Sequence, residues 1–334
     1  MRKIDVVIPT YRPDQNLIEL IQTLSGAYGA AVSRIIVINT EEALWREAYK
    51  GTDWENGIPT LDDAARGDRE EGAARGDRPE VSLLHIRKEE FDHGATRDRG
   101  FRMSQAEFVL FMTQDCTVPT FDKNTEEIGE TIDGTTGGMQ NFLEALQKPF
   151  EEKDVAVSYA RQLPADDCND LERFTRSFNY PAESRIKTKE DIPTLGIKTY
   201  FCSNVCAMYR REIYEKLGGF VKKTPFNEDM IFAARAIQAG YKIAYVSDAC
   251  VIHSHNFTGL QQYRRNLDMG ISQGMHPEIF ENVPSEGEGI RLVLKSLKHV
   301  FAIGKPYLAF KLVWQSACKY LGYRKGKKIG RRIR

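Results

Sequence analysis

Two nearly unbroken β-branched runs, residues 4–9 (IDVVIP) and 34–39 (RIIVIN), flank a segment with helical spacing in Leu17, Leu20, Ile21 and Leu24. Strands that are apolar on both faces belong inside a parallel sheet, where helices cover both sides. Strand, helix and strand therefore open a βαβ unit with a right-handed crossover. The alternation continues with a strand over 81–86, a helix over 94–105 and a strand over 108–113. It predicts an α/β fold on a doubly wound mixed sheet, with its ligand crevice at the carboxyl ends of the strands. Further strands are expected from 155, over 201–209 and over 242–246, with helices over 210–217 and from 228 to 240. Beyond residue 259 the pattern is helical, over 260–273, 290–301 and 307–321. The chain divides into a main domain, 1–258, and an α-helical C-terminal extension, 259–334.

Composition narrows the class. A hydrophobic fraction of 41% and a charged fraction of 28% are ordinary for a globular protein, and a formal net charge of zero gives no general attraction to nucleic acid. No apolar run is long enough to span a bilayer, and the N-terminus reads as a strand, not a signal peptide. Six cysteines without CxxC spacing point to reduced thiols in the cytoplasm rather than a zinc site. The hexapeptide AARGDR occurs at 64–69 and again at 73–78. So short a repeat buries no core, and about 51–80 reads as a mobile, solvated surface insert. A second insert, rich in glycine and threonine, is expected over about 129–138. Residues 324–334 hold three Lys and four Arg with no acid. With the aromatics Phe301, Tyr307, Phe310, Trp314 and Tyr320 before it, this tail reads either as an attachment to an anionic membrane surface or as a solvated, disordered end whose preceding aromatics pack onto the main domain.

Four places along this frame carry chemistry. Asp115 follows the apolar run 108–112, so its carboxylate emerges at the carboxyl edge of the sheet. Alone it reads as a turn or capping aspartate; in register with the other elements it suits a divalent cation bridging a diphosphate. Glu228-Asp229 opens an amphipathic segment, where capping and the helix dipole explain one acid better than two. Adjacent helical residues point apart, so the pair divides its work. Asp229 is the general base for an acceptor hydroxyl, and Glu228 binds the acceptor or organises the site. In an extended segment His253 and His255 fall on one face, where one completes a metal site with Asp115 or the two form a surface pair. In 91–97 (FDHGATR), Gly94 permits close backbone approach and Arg97 can face a phosphate or sugar; a capped helix start accounts for the same residues.

The ordered set VVIPTYRP, KEEFDHGATRDRG, FMTQDCTVP, YARQLP, FCSNVCAMYRR, FNEDMIFAARAIQAGYKIAYV and VIHSHNFT resembles the inverting family-two glycosyltransferases of the GT-A fold. Within them it is most similar to the bacterial rhamnosyltransferase-like group. The resemblance spans roughly residues 3–260, interrupted by the two inserts. It implies that Pro9, Thr10 and Tyr11 line the nucleotide, with Asn39, Asp92, His93, Gly94, Arg97 and Gln114 also on the donor side. Asp115 takes the place of the last acid of the Asp-X-Asp motif, which here reads Thr113-Gln114-Asp115, so one carboxylate is offered. Asp229 falls on the catalytic base, and Glu228 and Asn204 lie with the acceptor. Asn39-Thr40-Glu41 replaces the acid usual after strand two, which suits a thymidine nucleotide at least as well as a uridine one. Asp98 stands where asparagine is general.

The implied activity is inverting transfer of a sugar, L-rhamnose from dTDP-L-rhamnose, to a saccharide or polyprenyl-linked saccharide in cell-surface polysaccharide synthesis. A divalent cation, magnesium or manganese, is the implied cofactor, and the expected place is the cytoplasm or the inner face of the membrane. The alternatives are a UDP-hexose donor, or a catalytically silent nucleotide-sugar-binding scaffold.

Overall fold

The computed structural model of the protein describes residues 3–59, 78–119, 142–281, 283 and 286–334. The first copy of the hexapeptide, all of the second but Arg78, and the stretch 129–138 lie outside them. The chain opens with β1 (Ile4–Tyr11), α1 (Gln15–Gly26), β2 (Val32–Thr40), α2 (Glu42–Ala48), β3 (Glu80–Ile86), α3 (His93–Met103) and β4 (Phe108–Met112). It continues through α4 (Phe142–Gln147), β5 (Val155–Leu163), α5 (Asp170–Asn179), β6 (Arg185–Lys187) and α6 (Ile192–Leu195). Then follow β7 (Cys206–Arg210), α7 (Arg211–Lys216), α8 (Glu228–Gln238), β8 (Lys242–Ile252), α9 (Gly259–Met275), α10 (Pro277–Phe280), α11 (Glu286–Ala302) and α12 (Leu308–Ile333).

The strands form one sheet in the order β3-β2-β1-β4-β7-β5-β8-β6. Neighbours among β3, β2, β1 and β4 pair in parallel, as do β5 and β8. Because β7 is antiparallel to both β4 and β5, these six strands all point the same way. Tyr11, Thr40, Ile86, Met112, Leu163 and Ile252 therefore end at one edge, the crevice edge of a doubly wound sheet.

The pleat of β1 explains the two layers. Ile4, Val6 and Ile8 face a core that includes Leu17, Leu20, Ile21 and Leu24 of α1, while Val7 faces one built from Ile36, Ile38, Phe101 and the α8 residues Phe232 and Ile237. Period two on the strand and three-to-four on the helices thus place α1 and α8 on opposite sides.

Three expectations are corrected. The strand expected over 201–209 begins only at Cys206, because Gly196–Tyr200 forms a 3-10 turn and residues 202–204 leave the ladder to reach α8. The solvated insert does not begin at 51. Trp54 is buried, and its carbonyl accepts the indole N–H of Trp45 at 2.7 Å, so that residues 51–59 close over the first core. The tail is not a disordered end: α12 runs to Ile333. Its Gly322, Gly326 and Gly330 lie against α9, where a Cβ on Gly326 would stand 2.1 Å from the Leu267 carbonyl oxygen and one on Gly270 2.3 Å from that of Tyr323. A glycine every fourth residue lets two helical backbones touch.

Candidate active site

The crevice begins where β1 and β4 end side by side. Gln114, two residues past β4, laces them together: its Oε1 accepts the Tyr11 N–H at 2.9 Å and the Thr10 hydroxyl, and its Nε2 donates to the Arg12 carbonyl at 3.3 Å. Thr10 is buried by this, Pro9 is half-buried, and Tyr11 stands exposed with the Arg12 guanidinium 5.5 Å from its ring. An exposed ring beside a guanidinium at a strand end is a stacking platform for a planar base. On β2, Asn39 is fully buried; its Nδ2 donates to the Glu41 carbonyl at 3.0 Å and lies 3.0 Å from His85 Nδ1, while its Oδ1 has no partner among the described residues.

At the start of α3, Asp92 accepts the Ala95 N–H at 2.7 Å and caps the helix. His93 is half-buried there, and this desolvation holds its ring below the usual imidazole range. Gly94 is required by packing, since a Cβ there would meet the Val221 carbonyl oxygen at 1.9 Å. Two expectations change with this. The close approach at Gly94 is to protein backbone, and Arg97, expected toward the donor, turns inward to Glu228, with Nη1 3.1 Å from Oε1. Asp98 is also turned away from the crevice, accepting from Tyr214 Oη at 3.2 Å and pairing with Arg102 at 2.9 Å.

The acid pair sits where Asn227, in the left-handed region (φ +64°), delivers the chain into α8. Asn204 holds both acids: its backbone N–H donates to Asp229 Oδ2 at 3.1 Å and its Nδ2 to Glu228 Oε1 at 3.1 Å. Its own Oδ1 accepts from Tyr209 Oη at 2.7 Å, and the Met230 N–H completes the cradle of Asp229 at 2.7 Å from Oδ1. Glu228 and Asn204, read with the acceptor, are both buried inside this network. Burial opposes ionisation of Glu228, but Arg97, His93 and the Asn204 amide outweigh it and hold its carboxyl below the usual range. Burial first, and then the charge of Glu228, push Asp229 up to about 7. Two adjacent carboxylates with opposed shifts suit distinct tasks: one fixed as an anion, one able to exchange a proton near neutrality.

A third group forms because Thr117 and Ile252 exchange backbone hydrogen bonds of 3.0 and 2.8 Å. That bridge brings the turn after β4 against the end of β8. Asp115 Oδ2 then lies 3.5 Å from His253 Nε2 and 3.3 Å from His255 Nε2. One oxygen and two ring nitrogens within 4.8 Å of one another are a three-point donor set. Burial of Asp115 opposes its charge, yet hydrogen bonds from both histidines hold its carboxyl well below the usual range. Burial lowers His253 more than Asp115 raises it. Its Nδ1 lies 3.1 Å from Gln162 Oε1, a partner that fixes the ring with Nε2 toward Asp115. A carboxylate with two imidazoles fits a borderline divalent cation such as manganese better than magnesium, which prefers oxygen throughout.

Gln162 went unnoticed in the sequence, although it stands in YARQLP at the end of β5. Its Nε2 donates to Ser203 Oγ at 2.9 Å, beside Asn204, so one side chain joins the histidine cluster to the loop that cradles Asp229. His85, Tyr209 and Arg176, the last of which also bonds Gln162, likewise carried no local signal.

No protein-family model matches the sequence. The chain is 38% identical over 248 residues to the O-antigen chain rhamnosyltransferase WbaN of Salmonella anatum, covering 74% of this chain and 72% of that protein. It is 34% identical over 253 residues to the O-antigen chain rhamnosyltransferase RfbN of Salmonella typhimurium, covering 75% and 74%. Among solved structures it is similar to the mannosyltransferase PcManGT from Pyrobaculum calidifontis in complex with GDP-Man and Mn2+. The TM-score is 0.53 at 14% identity, over 99% of this chain and 85% of that one. The fold is GT-A, and the two sequence relatives carry the same class of name. The chain is a glycosyltransferase and belongs to the O-antigen chain rhamnosyltransferase family.

Proposed function

We propose that the protein transfers L-rhamnose from dTDP-L-rhamnose, with inversion, to a saccharide or polyprenyl-linked saccharide acceptor, and that Asp229 is the base. The observation that carries this reading is the cradle of Asp229: a buried carboxylate held by two backbone N–H groups and raised to about 7 beside a fixed anion. A base poised near neutral pH suits removal of a proton from a sugar hydroxyl. As the acceptor oxygen bonds to the anomeric carbon from one face, the bond to the diphosphate oxygen breaks on the other, and Asp229 takes the hydroxyl proton. Asp115, His253 and His255 would hold a divalent cation, which supplies Lewis-acid charge to the departing diphosphate. Glu228 and Asn204 act by positioning Asp229. Tyr11, Thr10 and Gln114 form the nucleotide end of the crevice.

In this reading residues 1–258 are the catalytic unit and 259–334 a helical extension, working on cytoplasmic nucleotide sugars. The names of WbaN and RfbN support rhamnose as the sugar. Incubation with a panel of nucleotide sugars and manganese, followed by nucleotide diphosphate release, tests it. Release of dTDP from dTDP-L-rhamnose well above the other donors is expected; turnover confined to a UDP-hexose would replace the donor, and no turnover with any donor and acceptor would favour a silent scaffold.

A further inference from the structure

We propose that the α11–α12 hairpin docks the protein on an anionic lipid surface through exposed apolar side chains ringed by bases. No helix among the described residues is long and apolar enough to cross a membrane. Yet the end of α11, the turn after it and the first turn of α12 present Phe301, Tyr307 and Phe310, of which Phe310 is 82% and Tyr307 71% exposed. Ile290 and Leu294 extend the apolar strip along α11, and Leu321 along α12. Clustered aromatics at one tip of a protein mark an interaction surface.

Helical spacing separates this face from the packed one. On α12, Leu312, Gly322, Gly326 and Gly330 are buried, the glycines against α9. Phe310, Leu321 and Lys328 fall on the opposite side, at intervals of eleven and seven residues, while the Trp314 ring turns to Gly259 at the start of α9. That side changes from aromatic to basic along the helix. Lys311, Lys325, Lys328 and Arg332 are exposed on α12, and Lys298 on α11. Residues 289–334 contain eight lysines and five arginines and no Asp or Glu. A second copy of this chain would bring like charges together across a symmetric contact. An acidic lipid surface is complementary to both parts, with aromatics at headgroup depth and bases on the phosphates.

The helix that carries the docking face is also tied to the site. On the same helix Gln315 donates to the Phe257 carbonyl at 2.9 Å, two residues past His255. The inference stands apart from the donor assignment and is read without turnover.

Co-sedimentation of the full chain with vesicles decides it. The protein is expected to pellet with phosphatidylcholine–phosphatidylglycerol vesicles, to stay in solution with pure phosphatidylcholine, and to be released by high salt. The double variant Tyr307→Ser, Phe310→Ser, whose side chains bury little in the protein, should lose binding about tenfold or more with unchanged circular dichroism. Lys311→Gln with Lys325→Gln and Lys328→Gln should weaken binding to a similar degree. Wild-type protein that ignores anionic vesicles, or a Ser double variant that binds equally, overturns the proposal. So does a wild-type dimer in solution that the Ser variant converts to monomer, because a second copy then covers the face.

Discussion

Asn204 donates its backbone N–H to Asp229 Oδ2 at 3.1 Å while its side-chain amide holds Glu228 at 3.1 Å, so one residue fixes both members of the acid pair. It also accepts from Tyr209 Oη at 2.7 Å. Asn204→Ala keeps the backbone bond to Asp229 but leaves Glu228 and Tyr209 each short of a partner in a buried place. Losing buried partners costs about 1–3 kcal/mol. A lower unfolding midpoint, read by calorimetry, and a fall in kcat larger than any change in donor affinity are expected. An unchanged midpoint would mean that the network is not holding the acids.

The pH profile follows from the direction of the Asp229 shift. Burial and Glu228 raise its carboxyl to about 7, so the base is protonated below that pH and ionised above it. The rate should therefore rise through pH 7 and flatten, falling about tenfold for each pH unit on the acid side. The matching stability effect has the opposite sign: a raised carboxyl binds its proton more tightly when folded, so this group contributes less to stability as pH rises from its unfolded value toward 7. A profile of kcat/KM with an acid limb near 4 would contradict the assignment.

Metal dependence is expected from the donor set of Asp115, His253 and His255. Excess chelator should abolish transfer, and manganese should restore it better than magnesium. Gln162→Leu removes the partner of His253 Nδ1 without touching a donor atom. It should weaken manganese binding, followed by calorimetric titration, about ten- to a hundredfold. Full activity in chelator would sink the metal site altogether.

Packing of the tail is tested at Gly326, where a Cβ would stand 2.1 Å from the Leu267 carbonyl oxygen. Gly326→Ala has no flexible neighbour to displace and should cost about 1–3 kcal/mol. Gly304→Ala is a poor control because of its positive φ; Gly289→Ala, with open space around it, should be neutral or slightly stabilising. Equal melting of the two variants would show that α9 and α12 do not touch as described.

The strands and their order of appearance were legible because residues such as Ile35, Ile36, Val37 and Ile38 are buried on both faces and leave an unbroken apolar run. Asp229 was legible because a helix start explains one acid but not two. Gln162 was not, since its value comes from a partner 91 residues away, and Asn204, expected with the acceptor, shows its hold on Asp229 only across 25 residues. Arg97 shows the limit of reading charge alone: the residue invited a phosphate, and the packing of α3 on α8 gave it Glu228 instead. The tail was misread for a different reason. Its bases left a disordered end open beside attachment to an anionic surface, while the spacing of Gly322, Gly326 and Gly330, visible in the sequence, already specified a helix contact.

The central claim is that Asp229 removes the acceptor proton and does not hold the donor. Its most direct test compares wild type with Asp229→Asn in one experiment, measuring donor binding by calorimetry and transfer by single turnover with manganese present. The account predicts donor affinity within about twofold of wild type and a transfer rate lower by about a hundred- to ten-thousandfold. Lost donor binding in the variant, or transfer at the wild-type rate, would contradict it.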